Sequence, residues 1–200
     1  MSFHKLWLPV LAVLVATAFG QNKQAEPPAH AKQLSPAVTD EFIRNQFGDG
    51  CSLMAGPAQF VADLDGDGNE DLVVAAKCKN PMADKDEYSF VVADPYHTFL
   101  GYGNVKVTST FASDQPERRG VSLLIIHGDE KDGWRAEKPK AKFLMINMPF
   151  KTLAVKRLVM KKKTVLGIYM EEAGEGESTS SVLFWDGKKY QYTQLGSTME

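Results

Sequence analysis

The stretch VADLDGDGNEDLVVAA, residues 61–76, places five acidic residues and two glycines in a nine-residue window between two apolar runs. Asp63, Asp65 and Asp67 alternate along it, Asn69 and Asp71 continue the alternation, and Gly66 and Gly68 lie between them. Carboxylates held this close repel one another, so the spacing points to a bound cation. Calcium takes six to eight oxygen ligands, and alternate residues of a tight loop can converge on one such centre. Glycine supplies the positive φ that a loop of this kind needs. Asp and Gly are also ordinary turn residues, so the alternative is an acidic turn; four aspartates in strict register favour the cation.

The opening D-x-D-G-D-G matches an EF-hand, but its twelfth position is Val74, where that loop uses a bidentate Glu. The flanks AQFVA and LVVAA read as strands rather than helices. A β-flanked D-x-D-G-D-G-x-x-D-L loop resembles the calcium loops of FG-GAP/VCBS-type repeats, such as those of integrin α-subunit β-propellers. The resemblance covers AQFVADLDGDGNEDLVVAA, residues 58–76, about a tenth of the chain. It implies one structural calcium ion, held by the side chains of Asp63, Asp65, Asp67 and Asp71 and by the carbonyl of Asn69, with Glu70 pointing outward. In such repeats the ion staples a hairpin. A propeller needs at least four blades of about 40–50 residues, and here the motif occurs once. GDEKDGW (128–134) and FWDGKKY (184–190) lack the aspartate register. The expectation is one repeat-like hairpin in a smaller curved sheet, not a complete propeller.

Other candidate chemistry is sparse. Beyond the N-terminal segment the histidines are His30, His97 and His127, with no H-x-x-x-H or H-E-x-x-H spacing. No serine sits in a G-x-S-x-G elbow, and GYGN at 101–104 is too short to cradle phosphate. Tyr96, Phe99 and Tyr102 form an aromatic loop, either a binding lip for sugar or peptide or packing over a sheet. Lys156–Arg157 and Lys161–Lys163 place positive charge on a hairpin, either a contact for an anionic partner or, more commonly, a solvated edge protected by lysines.

These residues need a scaffold. SPAVTDEFIRNQFG predicts a helix of about three turns, with Ser35 as cap, Pro36 in the first turn, Gly48 as stop, and Val38, Phe42, Ile43 and Phe47 on one face. Beyond residue 56, strands are expected at 58–62, 71–77, 88–93, 104–111, 121–127, 142–148, 153–160, 164–170, 181–185 and 189–194. Turns are expected at 161–163 and at Asp186–Gly187, a hairpin dipeptide. The stretch between the strands at 164–170 and 181–185 reads as a long acidic, glycine-containing loop, and 128–140 as an exposed connection. The expected fold class is α+β: mostly antiparallel β-sheet with curved, blade-like hairpins, one N-terminal helix and a single domain over residues 35–200.

Residues 1–20 read as a secretory signal peptide, with a basic start, an apolar run from Leu6 to Phe19 and small residues before Gln21. Residues 21–34 read as a flexible lead-in. Removing residues 1–20 takes out Lys5 and no acid, so the 23 basic and 25 acidic residues become 22 and 25, a net charge of −3. That balance gives no electrostatic footprint for nucleic acid, and no segment is expected to stay in a membrane after cleavage. Cys51 and Cys78, an even count in an exported chain, suggest a disulfide. Such a bridge is worth roughly 3.5 kcal/mol in the chain-entropy model.

The functional expectation is an exported, non-enzymatic calcium-binding domain that binds a protein or glycan ligand in the periplasm or outside the cell. The alternative is a secreted hydrolase using scattered carboxylates with His97 or His127 as acid or base. A histidine meeting an Asp or Glu outside residues 63–71 in one concave pocket would favour that alternative.

Overall fold

The computed structural model describes residues 32–33, 38–57, 59–101, 119–148, 150–161, 163–173 and 177–199. Helix α1 (Asp40–Phe47) follows Thr39, whose Oγ1 accepts the Phe42 N–H at 3.2 Å, and stops at Gly48, where φ is 82°. The cap is thus Thr39, and the helix has eight residues, shorter than expected. Ser35 and Pro36 lie outside the described residues. Ile43 and Phe47 are fully buried, as their spacing predicts.

The strands form two sheets. The first contains β1 (Lys32–Gln33), β2 (Cys51–Leu53), β3 (Phe60–Ala62), β4 (Asp71–Cys78), β5 (Val91–Ala93), β6 (Val121–His127) and β7 (Ala141–Ile146). Its order is β1-β3-β4-β6-β7-β5, and β2 also pairs with β4. All pairings are antiparallel except β5 with β7. The second sheet is an antiparallel meander of β8 (Thr152–Met160), β9 (Lys163–Ala173), β10 (Glu177–Trp185) and β11 (Tyr190–Met199), in the order β11-β10-β9-β8. The described sheets close into neither a barrel nor a propeller.

Strands β4 and β6 are buried almost throughout because the first sheet is covered on both faces. Leu72, Val74, Ala76, Leu124, Ile126, Leu144 and Ile146 face Ile43 and Phe47 of α1, together with Phe90 and Trp134. Val73, Ala75, Leu123, Ile125 and Met145 face Val155, Leu166, Ile168, Leu183, Tyr190 and Tyr192 of the meander. The α+β class therefore holds, as a helix layer and two sheet layers.

Several local expectations change. Lys32–Gln33, at the end of the segment read as lead-in, pair with Val61 and Phe60. The strand expected at 88–93 shrinks to β5, and α2 (Pro95–Phe99) follows it. Strands β9 and β10 extend to Ala173 and from Glu177, so most of the expected acidic loop is strand. Residues 104–111 lie outside the described residues. Cys51 and Cys78 are cross-strand partners of β2 and β4 and are joined as a disulfide. Among the described residues no helix is long and apolar enough to cross a membrane.

Candidate metal centre

The acidic window is the β3–β4 hairpin connection, closed by the Ala62–Asp71 pair. It winds around one carboxylate. Asp63 Oδ1 accepts the N–H groups of Gly66 (2.8 Å) and Asp67 (3.0 Å), and Oδ2 accepts that of Gly68 (3.0 Å). Gly66 and Gly68 have φ of 79° and 92°, the left-handed conformation that the sequence pattern anticipates. Asp65 Oδ1 accepts Asp67 N–H at 3.2 Å, and Asp67 Oδ1 accepts Asn69 N–H at 2.8 Å. The result brings carboxylate oxygens of Asp63, Asp65 and Asp71 within 4.8 Å of one another. Asp67 turns its Oδ2 elsewhere, and Glu70 lies at the surface, 3.6 Å from Arg135.

The innermost carboxylate is Asp71, only 1% exposed. Its Oδ2 accepts Leu64 N–H (2.7 Å) and Asp65 N–H (3.3 Å), and its Oδ1 accepts Gly128 N–H at 2.8 Å. Burial pushes its carboxyl up to about 7, against the pull of these backbone donors and with Asp65 adding repulsion. Asp71 thus knits the loop to a second segment, the β6–β7 connection.

That connection grips the acidic loop. Gly128 and Gly133 lie against the Glu70 backbone, and Trp134 is buried against Phe42 of α1. Arg135 stacks on the Trp134 ring at 4.1 Å. Lys140 Nζ donates to Asp65 Oδ2 at 2.7 Å and to Asp67 Oδ2 at 2.6 Å. The two carboxylates raise the Lys140 pKa; burial pushes Asp67 up, but the Lys140 ammonium and the Asn69 donors outweigh it and hold Asp67 below the usual carboxylate range. The chain therefore places its own cation on the acidic loop.

Behind the loop lies His127, the last residue of β6 and only 1% exposed. Desolvation lowers its pKa to about 4, so the ring is neutral despite the attraction of Asp65. Its Nε2 is 2.7 Å from the Tyr190 hydroxyl, and its Nδ1 is 3.4 Å from Asp65 Oδ2. A carboxylate only accepts, so the nearby Asp65 favours the tautomer with the proton on Nδ1, which leaves Nε2 to accept from the Tyr190 O–H. Burial keeps Tyr190 protonated. Phe143 and Trp185 pack on the imidazole, each at 5.0 Å between ring centroids. This chain of groups connects the acidic loop to the second sheet.

His97 lies in a different setting. Its Nδ1 is 2.9 Å from Asp94 Oδ2, and the same oxygen accepts from Asn147 Nδ2. Asp94 Oδ1 accepts the backbone N–H of His97 at 2.9 Å. Asp94 is therefore the cap of α2, and His97 reaches back to it as a capping partner. The aromatic loop packs here: Tyr96 and Phe99 meet Tyr192 of β11 at 5.3 and 5.4 Å. Tyr102 lies outside the described residues.

The sequence pattern located the hairpin loop and its glycines. It missed Gly128 and Lys140 as its partners, having read 128–140 as an exposed connection, and it singled out His127 as a strand-end histidine or acid/base candidate without placing it behind this loop. Oxygen donors dominate the centre, a chemistry suited to a hard cation. No family model, curated protein or solved structure matches this chain.

Proposed function

We propose that the chain is an exported, non-enzymatic β-domain in which one calcium ion stabilises the 63–71 hairpin, and that the domain serves ligand or protein binding at the cell envelope or outside the cell. The observation that carries the calcium reading is the convergence of Asp63, Asp65 and Asp71 within 4.8 Å in a loop already wound by positive-φ glycines. Lys140, seated on Asp65 and Asp67, supports it by showing that the loop attracts positive charge. Export is supported by the apolar N-terminal run in the sequence and by the Cys51–Cys78 disulfide, which suits a non-reducing compartment. The FG-GAP/VCBS-like register supports a stapling rather than a catalytic ion. The hydrolase alternative has one observation in its favour, the Asp94–His97 pair, and capping of α2 accounts for that pair.

Calcium is expected to raise the melting temperature relative to chelator, and magnesium much less, because magnesium demands a tighter octahedron. At a hundredfold excess over Kd the stabilisation is about 2.7 kcal/mol. Asp65→Ala removes that increment, and Glu70→Ala keeps it. Lys140→Ala removes a competing ammonium, so calcium binds about fivefold more tightly, the equivalent of roughly 1 kcal/mol. Calorimetry and thermal melts check all three variants. No heat of binding, together with one melting temperature from chelator to saturating calcium, would reduce the loop to an acidic turn neutralised by Lys140.

A further inference from the structure

The meander carries its positive charge at one end. The β8–β9 turn closes at the Met160–Lys163 pair, and the β10–β11 turn follows the Trp185–Tyr190 pair. Antiparallel pairing through β9 and β10 brings these turns side by side, and Lys163 Nζ lies 3.4 Å from the Asp186 carbonyl oxygen. Lys161 and Lys163 from the first turn thus join Lys188 and Lys189 from the second, with Lys156 and Arg157 just behind on β8. All six are exposed.

The acid among them, Asp186, is already engaged. Its Oδ1 accepts the N–H groups of Lys188 and Lys189, and its Oδ2 accepts Gln191 Nε2. Glu171, Glu172 and Glu177 lie toward the opposite ends of β9 and β10, so the meander is polarised along its strands. At the basic tip stands Val159, 79% exposed. Its cross-strand partner is Thr164. Along β8, Leu153 and Val155 point into the core, whereas Arg157 and Val159 on the same side are exposed, so the hairpin projects beyond the sandwich.

We infer that this basic end docks on a bilayer surface of anionic lipid. The charge is complementary to acidic headgroups, which attract each nearby lysine. An exposed aliphatic side chain among the lysines suits the boundary between headgroups and acyl chains. Single-stranded nucleic acid would instead call for aromatic stacking platforms beside the basic residues, and the tip offers a valine. The inference is independent of the calcium reading.

The test is co-sedimentation of the purified protein with phosphatidylcholine vesicles, with and without phosphatidylglycerol. Binding is expected only to the anionic vesicles, with release at high salt. Lys161→Glu with Lys163→Glu should weaken it at least about tenfold. Val159→Ser should weaken it severalfold and leave the salt dependence in place. Lys77→Glu with Lys79→Glu makes the same charge change on β4 and beyond it, and should bind like wild type. Equal binding to neutral vesicles, no binding to either, an equal loss in the Lys77/Lys79 variant, or tighter binding to heparin than to anionic vesicles would each overturn the inference.

Discussion

Replacing Gly128 with alanine is expected to destabilise the protein by about 3–5 kcal/mol. A Cβ at this position would lie 2.2 Å from the Glu70 carbonyl oxygen, 2.5 Å from the Gly133 carbonyl carbon and 2.7 Å from its Cα. All three are backbone atoms and cannot rotate aside, so one loop must lift off the other. Lifting breaks the 2.8 Å bond from Gly128 N–H to the buried Asp71 carboxylate. Overpacking of this kind costs about 1–3 kcal/mol, and leaving a buried hydrogen-bonding group without its partner about 1–3 kcal/mol more. The melting temperature should fall by roughly 10 °C. Gly66→Ala is the control: its Cβ would meet nothing within 4 Å, and its φ of 79° imposes only left-handed strain, about 1–2 kcal/mol. A Gly128→Ala protein melting with the wild type would show that the two loops are not pressed together.

The second large effect lies at the other end of β4. Exchanging Cys51 and Cys78 together for alanine should cost about 3.5 kcal/mol, from the chain entropy regained by the unfolded state. For a chain of this size the melting temperature should drop by roughly 10 °C. The effect should be concentrated locally. Strand β2 has three residues and, among the described strands, pairs only with the Cys78–Lys77–Ala76 stretch of β4, in the register Cys51 to Cys78, Ser52 to Lys77 and Leu53 to Ala76. Its other tie is Leu53 N–H donating to Asp40 Oδ1 of α1 at 2.7 Å. Hydrogen exchange should therefore show β2 and the first turn of α1 losing protection before β4 and β6. Wild-type protein should present no free thiol until it is unfolded and reduced. Identical melting with and without reductant would refute a stabilising bridge.

The parts legible in the sequence share one property: they are local. The D-x-D-G-D-G register lies within one hairpin, Gly48 ends the helix it follows, and Asp186–Gly187 joins adjacent strands. Cys51 and Cys78 were readable because two cysteines in one chain leave a single pairing. What was not legible is non-local. Lys140 meets Asp65 across 75 positions, Gly128 meets Asp71 across 57, and His127 meets Tyr190 across 63. None of these contacts leaves a periodicity or a turn signature. Thr39 displaced Ser35 as the helix cap because Ser, Thr and Asp all serve that role, and local propensity does not choose among them. The parallel β5–β7 pair followed the same rule: its crossover is long, so three residues of strand carried too little pattern to reveal it.

The layering also sets an order of events during synthesis. Every strand that covers the inward face of the first sheet belongs to the C-terminal meander, residues 152–199. A chain made from its N-terminus therefore completes β4, β6 and β7 while Val73, Ala75, Leu123, Ile125 and Met145 still have no cover. The meander, by contrast, consists of strands joined to their immediate neighbours, contacts of low sequence separation that form quickly once the chain is available. The interval before it arrives is when this protein exposes the most apolar surface, and so when it is most prone to aggregate.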